Sequence, residues 1–192
     1  MDTLIEWDRE LLIYLNSFHT SWLDPIVLFM TKTLAWLPLY LFLLYLIYRN
    51  YKKDSWIVLI GIAITILLAD QITSSIMKPF FMRLRPSNEP GLVGIIHLVN
   101  NYKGGLYGFA SSHAANTFGT AMFFWLLFRK QYGSMYWLFV WAAVLTYTRI
   151  YLGVHYPGDI LVGGIIGLMA GWVGYFAFTR IKAHVNPTQP TL

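Results

Sequence analysis

The chain has no cysteine among its 192 residues. This excludes disulfides, thiolate nucleophiles and thiolate metal sites, and leaves any chemistry to His, Asp, Lys, Arg and Ser. Charge is also scarce. Only 12% of residues are Asp, Glu, Lys or Arg, against about a quarter in ordinary soluble domains, while 57% are hydrophobic, 18% are aromatic and the mean hydropathy is +0.52. That balance excludes an ordinary soluble fold and reads as a single-domain integral membrane protein. Acids are the scarcer charge, 9 against 14 basic residues. The basic residues gather at the ends of apolar segments and form no soluble basic face. Membrane topology and an anionic substrate therefore explain them, and nucleic acid is not expected as a partner. The first residues are acidic where a cleavable signal would be basic, so no signal peptide is expected.

The fold class this predicts is all-α: an integral membrane helical bundle with about five transmembrane helices plus an N-terminal amphipathic interfacial helix. For the interfacial helix, 3–17, Thr3 and Glu6 match a capping box, and Leu4, Trp7, Leu11, Leu15 and Phe18 recur at helical spacing. Spans are predicted over 25–48, 56–77, 111–128, 134–150 and 159–179, with 78–110 a loop over the site. About 20 residues at roughly 1.5 Å each cross a hydrocarbon core of about 30 Å. Lys32 and Pro38 predict that the first span is kinked or starts with a short tilted piece. Five crossings place Arg49, Lys52, Lys53, Arg129, Lys130, Arg180 and Lys182 on one side, which the positive-inside rule makes cytoplasmic. Gly163, Gly167 and Gly171 form a smooth stripe suited to close helix packing within the chain. The oligomeric state is left open.

Three clusters share the opposite, outward side: Lys78-x6-Arg85-Pro86, Ala110-Ser111-Ser112-His113 and Thr148-Arg149-x5-His155-x3-Asp159. Each alone has an ordinary explanation, as a stop-transfer anchor, a serine N-cap or a turn that opens a helix. Together they supply cations for an oxyanion, a histidine to attack phosphorus, a carboxylate to orient it and a second histidine to protonate the leaving group. Pro86 stiffens the backbone beside Arg85, whose fork matches two phosphate oxygens. Ser111 and Ser112 open a helix whose free N–H groups suit an anion. A carboxylate at Asp159, bonded to one nitrogen of His155, leaves the other free to attack. Arg83 either touches phosphate or anchors the segment to headgroups. Asp70, Ser74 and Lys78 share one helix face, and Asp70, about two turns below the phosphate, is expected to support rather than catalyse. Lys103, beside Tyr102 and Tyr107 in the loop, is expected near a second phosphate. His19, His97 and His184 are expected to be ordinary polar residues. No metal or cofactor is expected.

From Asp70 to Gly164 these motifs resemble the type 2 phosphatidic acid phosphatase superfamily, membrane lipid phosphatases related in their site to vanadium haloperoxidases and glucose-6-phosphatase. The family pattern is Lys-x6-Arg-Pro, Pro-Ser-Gly-His and Ser-Arg-x5-His-x3-Asp. Here Ala110 replaces its proline, Ser112 its glycine and Thr148 its serine. The resemblance implies a phosphohistidine at His155, oriented by Asp159, with His113 as acid and Lys78, Arg85, Arg149 and Ser111 on the phosphate. Ser112 adds a side chain near that phosphate. A lipid phosphate is the implied substrate, and the implied place is the bacterial inner membrane with the site facing the periplasm or exterior. Family analogy ranks undecaprenyl diphosphate first, with phosphatidylglycerophosphate, phosphatidic acid and lipid A phosphates as alternatives. A phosphotransferase using the same site, a haloperoxidase, and a structural or lipid-carrying protein are the other classes.

Overall fold

The structure is a computed structural model that describes residues 2–186, so both ends of the domain expected over 1–192 lie outside the described residues. It is all-α, with no strand among the described residues. The helices are α1 (Asp2–Asn16), α2 (Asp24–Met30), α3 (Leu37–Tyr51), α4 (Ser55–Asp70), α5 (Lys78–Phe81), α6 (Ser112–Phe128), α7 (Trp137–Tyr151) and α8 (Pro157–Val185).

Helix α1 packs on the bundle through Leu12, which meets Leu92, Ile150 and Tyr156, and turns Leu4, Trp7 and Leu11 outward. Leu12 lies outside the apolar pattern that marks the helix in the sequence. Most of that pattern, Leu4, Trp7, Leu11 and Phe18, is the outward face, as suits a helix lying at a lipid interface, while Leu15 packs beside Leu12.

The segment expected as one span over 25–48 is two helices. Lys32 adopts extended backbone, a 3-10 turn covers Thr33–Trp36, and Trp36 Nε1 donates to the Met30 carbonyl across the break at 2.7 Å. Pro38 sits in the first turn of α3, where its missing N–H costs nothing, so the break falls before the proline. The chain then reverses at Lys52, whose φ is +46°, and α4 returns beside α3.

Beyond Asp70 the helix widens into a π-helical stretch, Gln71–Met77, before α5. A π turn holds more residues than an α turn, so the neighbours Thr73 and Ser74 both reach α6.

Helices α4, α6 and α8 form the centre. The glycines of α8 explain how closely they pack: a Cβ at Gly163, Gly167 or Gly171 would run into the backbone carbonyl of Ser111, Ala115 or Gly119 on α6. The stripe thus serves packing within the chain, as expected. An apolar core including Ile47, Ile57, Phe123 and Phe128 fills the end of the bundle away from the three motifs. The run Thr33–Phe81, which folds back at Lys52, and the helix Pro157–Val185 are long and apolar enough to cross a membrane. Large apolar side chains such as Phe42, Leu67, Leu161, Met169 and Trp172 face outward from these runs, as lipid contact requires.

Candidate active site

Helix α7 ends just after Arg149, and the connection to α8 is tight. Val154 N–H and His155 N–H both donate to the Arg149 carbonyl, at 3.0 and 3.3 Å, while Gly153 turns with φ +65°. Asp159 follows in the first turn of α8, fully buried. Its Oδ2 accepts from the Tyr156 N–H at 3.0 Å and lies 3.2 Å from His155 Nδ1. The Asp159 carbonyl accepts the Ser111 N–H at 3.0 Å, which pins the start of α6 to the start of α8.

The hydrogen bonds fix the tautomer of His155. A carboxylate accepts and a guanidinium only donates, so Nδ1 carries the proton shared with Asp159, and Nε2 accepts from Arg85 Nη1 at 2.9 Å. Burial, and then the charges of Arg85, Arg149 and Lys78, hold the imidazole well below the ordinary histidine range. His155 is therefore neutral with its Nε2 lone pair available, the form a nucleophile needs.

The loop Met82–Ala110 wraps over this pair. Arg85 Nε donates to the Tyr107 carbonyl at 3.1 Å, and Leu84 and Tyr107 bridge antiparallel. Gly108 lies against the dyad so closely that a Cβ there would stand 3.0 Å from Asp159 Oδ2 and 3.2 Å from Arg85 Cγ. Only glycine lets the loop approach so closely.

Lys78 Nζ donates to Ser112 Oγ at 2.6 Å and to Ser74 Oγ at 3.3 Å, and Ser112 Oγ also meets Thr73 Oγ1 and Ser74 Oγ, each at 2.8 Å. Asp70 Oδ1 accepts from Ser74 Oγ at 3.1 Å, so Asp70 stands behind Lys78 through the serine. Ser111 Oγ accepts the Ala114 N–H at 3.3 Å, an N-cap bond. His113 follows in the first turn of α6, with its Nε2 buried and without a hydrogen-bond partner, within electrostatic reach of Arg149, His155 and Arg85. Arg149 is buried; it donates to Thr31 Oγ1 and, at 3.4 Å, to the Tyr102 hydroxyl, and its Nε has no partner.

All three motifs thus meet at one end of the α4–α6–α8 core. Two candidates make other contacts. Lys103 is exposed and contributes its carbonyl to Ser87 Oγ, at 2.7 Å. Arg83 donates to Asp159 Oδ1 at 3.0 Å and to Asp8 Oδ2 at 2.8 Å. Arg83 and Asp159 offset each other, and among the described residues no acid is paired with Lys78, Arg85 or Arg149. Arg85 and Arg149 are buried and Lys78 half-buried, and buried cations in surplus are costly unless an anion completes them, an arrangement that suits an anionic ligand. Asp8, Thr31 and Thr73 belong to this assembly and were missed in the sequence: Asp8 and Thr31 reach it from distant segments with no local motif, and Thr73, beside Ser74, is brought onto the same side only by the π-helical turn. Gly108 did carry a signal, in the glycine-rich run before Ser111.

The model of the PAP2 superfamily matches residues 59–182, a range that holds every member of the three motifs. The chain belongs to the PAP2 superfamily. Among PAP2 relatives, a lipid A 4′-phosphatase of Bacteroides thetaiotaomicron is 38% identical over 192 residues, which is 99% of this chain and 85% of the relative. The crystal structure of Aquifex aeolicus LpxE aligns with a TM-score of 0.62 at 25% identity, over 86% of this chain and 92% of that one. A transmembrane PAP2-type phosphatidylglycerolphosphate phosphatase of Bacillus subtilis shares the fold, with a TM-score of 0.67 at 19% identity over 98% of this chain and 90% of its own. The chain is accordingly an integral membrane helical bundle and a PAP2 lipid phosphatase, as its motifs and composition led one to expect.

Proposed function

We propose that this phosphatase removes a phosphate from lipid A, with the 4′-phosphate as its target. The observation that carries the reading is the 38% identity to a lipid A 4′-phosphatase over 99% of the chain, joined to a site that surrounds a neutral histidine with cations. Undecaprenyl diphosphate, ranked first from family analogy, gives way to what was its alternative. The site opens at the end of the bundle that the positive-inside rule turns outward. An inner-membrane enzyme facing the periplasm would meet lipid A there, its acyl chains in the bilayer and its phosphates at headgroup depth.

In the reaction, His155 Nε2 attacks phosphorus, a P–N bond forms and the P–O bond to the sugar breaks. His113, protonated once the phosphate dianion offsets the cations around it, gives its proton to the departing sugar oxygen. Water then attacks the phosphohistidine, His113 takes the water's proton, the P–N bond breaks and inorganic phosphate leaves. Asp159 holds the Nδ1 proton and stabilises the positive charge that develops on the ring. Lys78, Arg85 and Arg149 meet a phosphoryl group whose charge is spread over three oxygens, where fixed cations contribute most of the acceleration. Asp70 supports Lys78, and no step assigns a role to a metal.

The test is phosphate release by the purified protein in detergent micelles with EDTA, offering lipid A, undecaprenyl diphosphate, phosphatidylglycerophosphate and phosphatidic acid in parallel. Expected are fastest release from lipid A, a product whose mass and fragments show loss at the 4′ position, and no release by His155→Ala. Faster release from undecaprenyl diphosphate would restore the earlier ranking. Transfer of the phosphoryl group to a lipid acceptor without free phosphate would make the chain a transferase.

A further inference from the structure

We propose that Asp8, on the interfacial helix α1, is a positioning residue for the His155–Asp159 pair and acts through Arg83; the inference rests on the reading of that pair as catalytic. The two oxygens of the Asp159 carboxylate are held differently. Oδ2 is shared between His155 Nδ1 and the Tyr156 N–H, whereas Oδ1 is bonded by Arg83 Nη1 alone, at 3.0 Å. The rotation of the carboxylate, and with it the aim of the imidazole, therefore depends on where the guanidinium of Arg83 sits.

Arg83 does not fix itself. Its side chain keeps 25% of its exposure, against 0% for Asp159, and lies at the mouth of the site, beside a surface where headgroup phosphates compete for arginine. Two contacts hold it: the Tyr156 ring, 3.8 Å beneath the guanidinium carbon, and Asp8 Oδ2, 2.8 Å from Nη2. Asp8 uses its other oxygen, Oδ1, to accept the Gly158 N–H at 2.7 Å, one residue before Asp159. A single carboxylate thus grips both the arginine that sets Asp159 and the helix end that carries it. Gly158 makes room for this, since a Cβ there would come within 2.8 Å of Asp8 Oδ2. The outer face of α1 presents Leu4, Trp7 and Leu11, so the seat of this helix in the interface is transmitted to the dyad by one ion pair.

Asp8→Asn separates positioning from folding. An asparagine oxygen still accepts the Gly158 N–H, but the charge that holds Arg83 is gone. In steady-state phosphate release from lipid A by the full chain in micelles, kcat should fall about 10- to 100-fold, as is typical when a supporting partner of a site residue is lost. KM should change by no more than about twofold, because Lys78, Arg85 and Arg149 are untouched. Arg83→Gln should show the same split, Asp8→Glu should recover part of the rate, and Asp8→Asn should add nothing in the Arg83→Gln background. The unfolding temperature of Asp8→Asn should match the parent. A wild-type kcat in Asp8→Asn, or losses that multiply in the double variant, would overturn the proposal. His155→Ala run beside them keeps the two readings apart. If it is dead while Asp8→Asn is normal, only the positioning role fails; if it is active, the reading of the site fails first.

Discussion

Arg85 Nη1 stands 2.9 Å from His155 Nε2, so a cation covers the lone pair that is to attack phosphorus. A neutral imidazole is a weaker partner for a guanidinium than a phosphate dianion, which adds opposite charge and two acceptor oxygens to match the fork. In the proposed reaction, substrate phosphate would draw Arg85 off Nε2 as it brings phosphorus toward it, and the arginine that masks the nucleophile would become one that stabilises the transferring group.

Arg85→Ala should consequently lose rate rather than gain it from an uncovered nucleophile. The expected fall in kcat for lipid A is about 10²- to 10³-fold, the usual cost of one lost oxyanion donor. Arg85→Lys should recover only part, because an ammonium cannot bond the Tyr107 carbonyl and two phosphate oxygens together. Steady-state phosphate release measures both. Faster turnover in Arg85→Ala would show that masking outweighs stabilisation.

The pH behaviour of His155 follows from its surroundings. Burial first, then Arg85, Arg149 and Lys78, keep its folded-state pKa well below the ordinary histidine value of about 6.5. Below about pH 6.5 the unfolded chain binds a proton at this residue that the folded chain refuses. Its contribution to stability is thus fully present above that pH and is lost progressively as the pH falls toward the folded pKa. In NMR of labelled imidazoles, the His155 signals should not titrate between about pH 7.5 and 5.5. The unfolding temperature should drop over the same range, and less steeply in His155→Gln. Titration of His155 near the ordinary value would contradict the assigned environment.

Gly167 tests whether the α6–α8 seam holds the site together. A Cβ there would meet the Ala115 backbone, which cannot swing aside as a side chain can. Gly167→Ala should cost about 1–3 kcal/mol, the usual range for overpacking, seen as a lower unfolding temperature in detergent. It should also lower kcat, because His113 rides on α6 and Asp159 on α8, and the Ser111 N–H bond to the Asp159 carbonyl at 3.0 Å joins the two starts. Gly133→Ala, with open space around its added methyl, should leave both readings unchanged.

The elements that could be read from the sequence are those whose signal is local. His155, in the bend before α8, and Asp159, in its first turn, are only four residues apart, so their bond could be expected from one short motif. The glycine stripe announced a close seam because small residues every fourth position line one face. The break at Lys32 was foreseen only as a kink or a short first piece, since hydropathy is blind to where a span stops being helical. Arg83 shows the limit most clearly. Its neighbours Arg85 and Pro86 made phosphate or headgroup contact seem the natural roles, but its partners Asp8 and Asp159 lie 75 and 76 residues away. Thr31, which receives a hydrogen bond from Arg149, lies 118 residues from it. Such pairings are set by how helices come together, and no window of sequence contains them.

Ser112 stands where the family pattern has glycine, and its hydroxyl accounts for the difference. The Oγ is 2.6 Å from Lys78 Nζ and 2.8 Å from both Thr73 Oγ1 and Ser74 Oγ. The lysine is thus tied to the start of α6 before any phosphate arrives. Ser112→Gly would remove the tie and leave Lys78 with Ser74 Oγ at 3.3 Å, a longer and weaker bond. A freed lysine regains rotamers that must be fixed again on binding, about 0.5–1.5 kcal/mol for a long side chain. That range corresponds to a rise in KM of about two- to tenfold. The chemical step should change little, because His155 and Asp159 keep their partners and the His113 side chain is unaltered. Initial rates over a range of lipid A concentrations measure this split. A lower KM in the glycine variant would mean instead that Ser112 holds Lys78 away from the phosphate, and that the serine restrains substrate binding rather than preparing it.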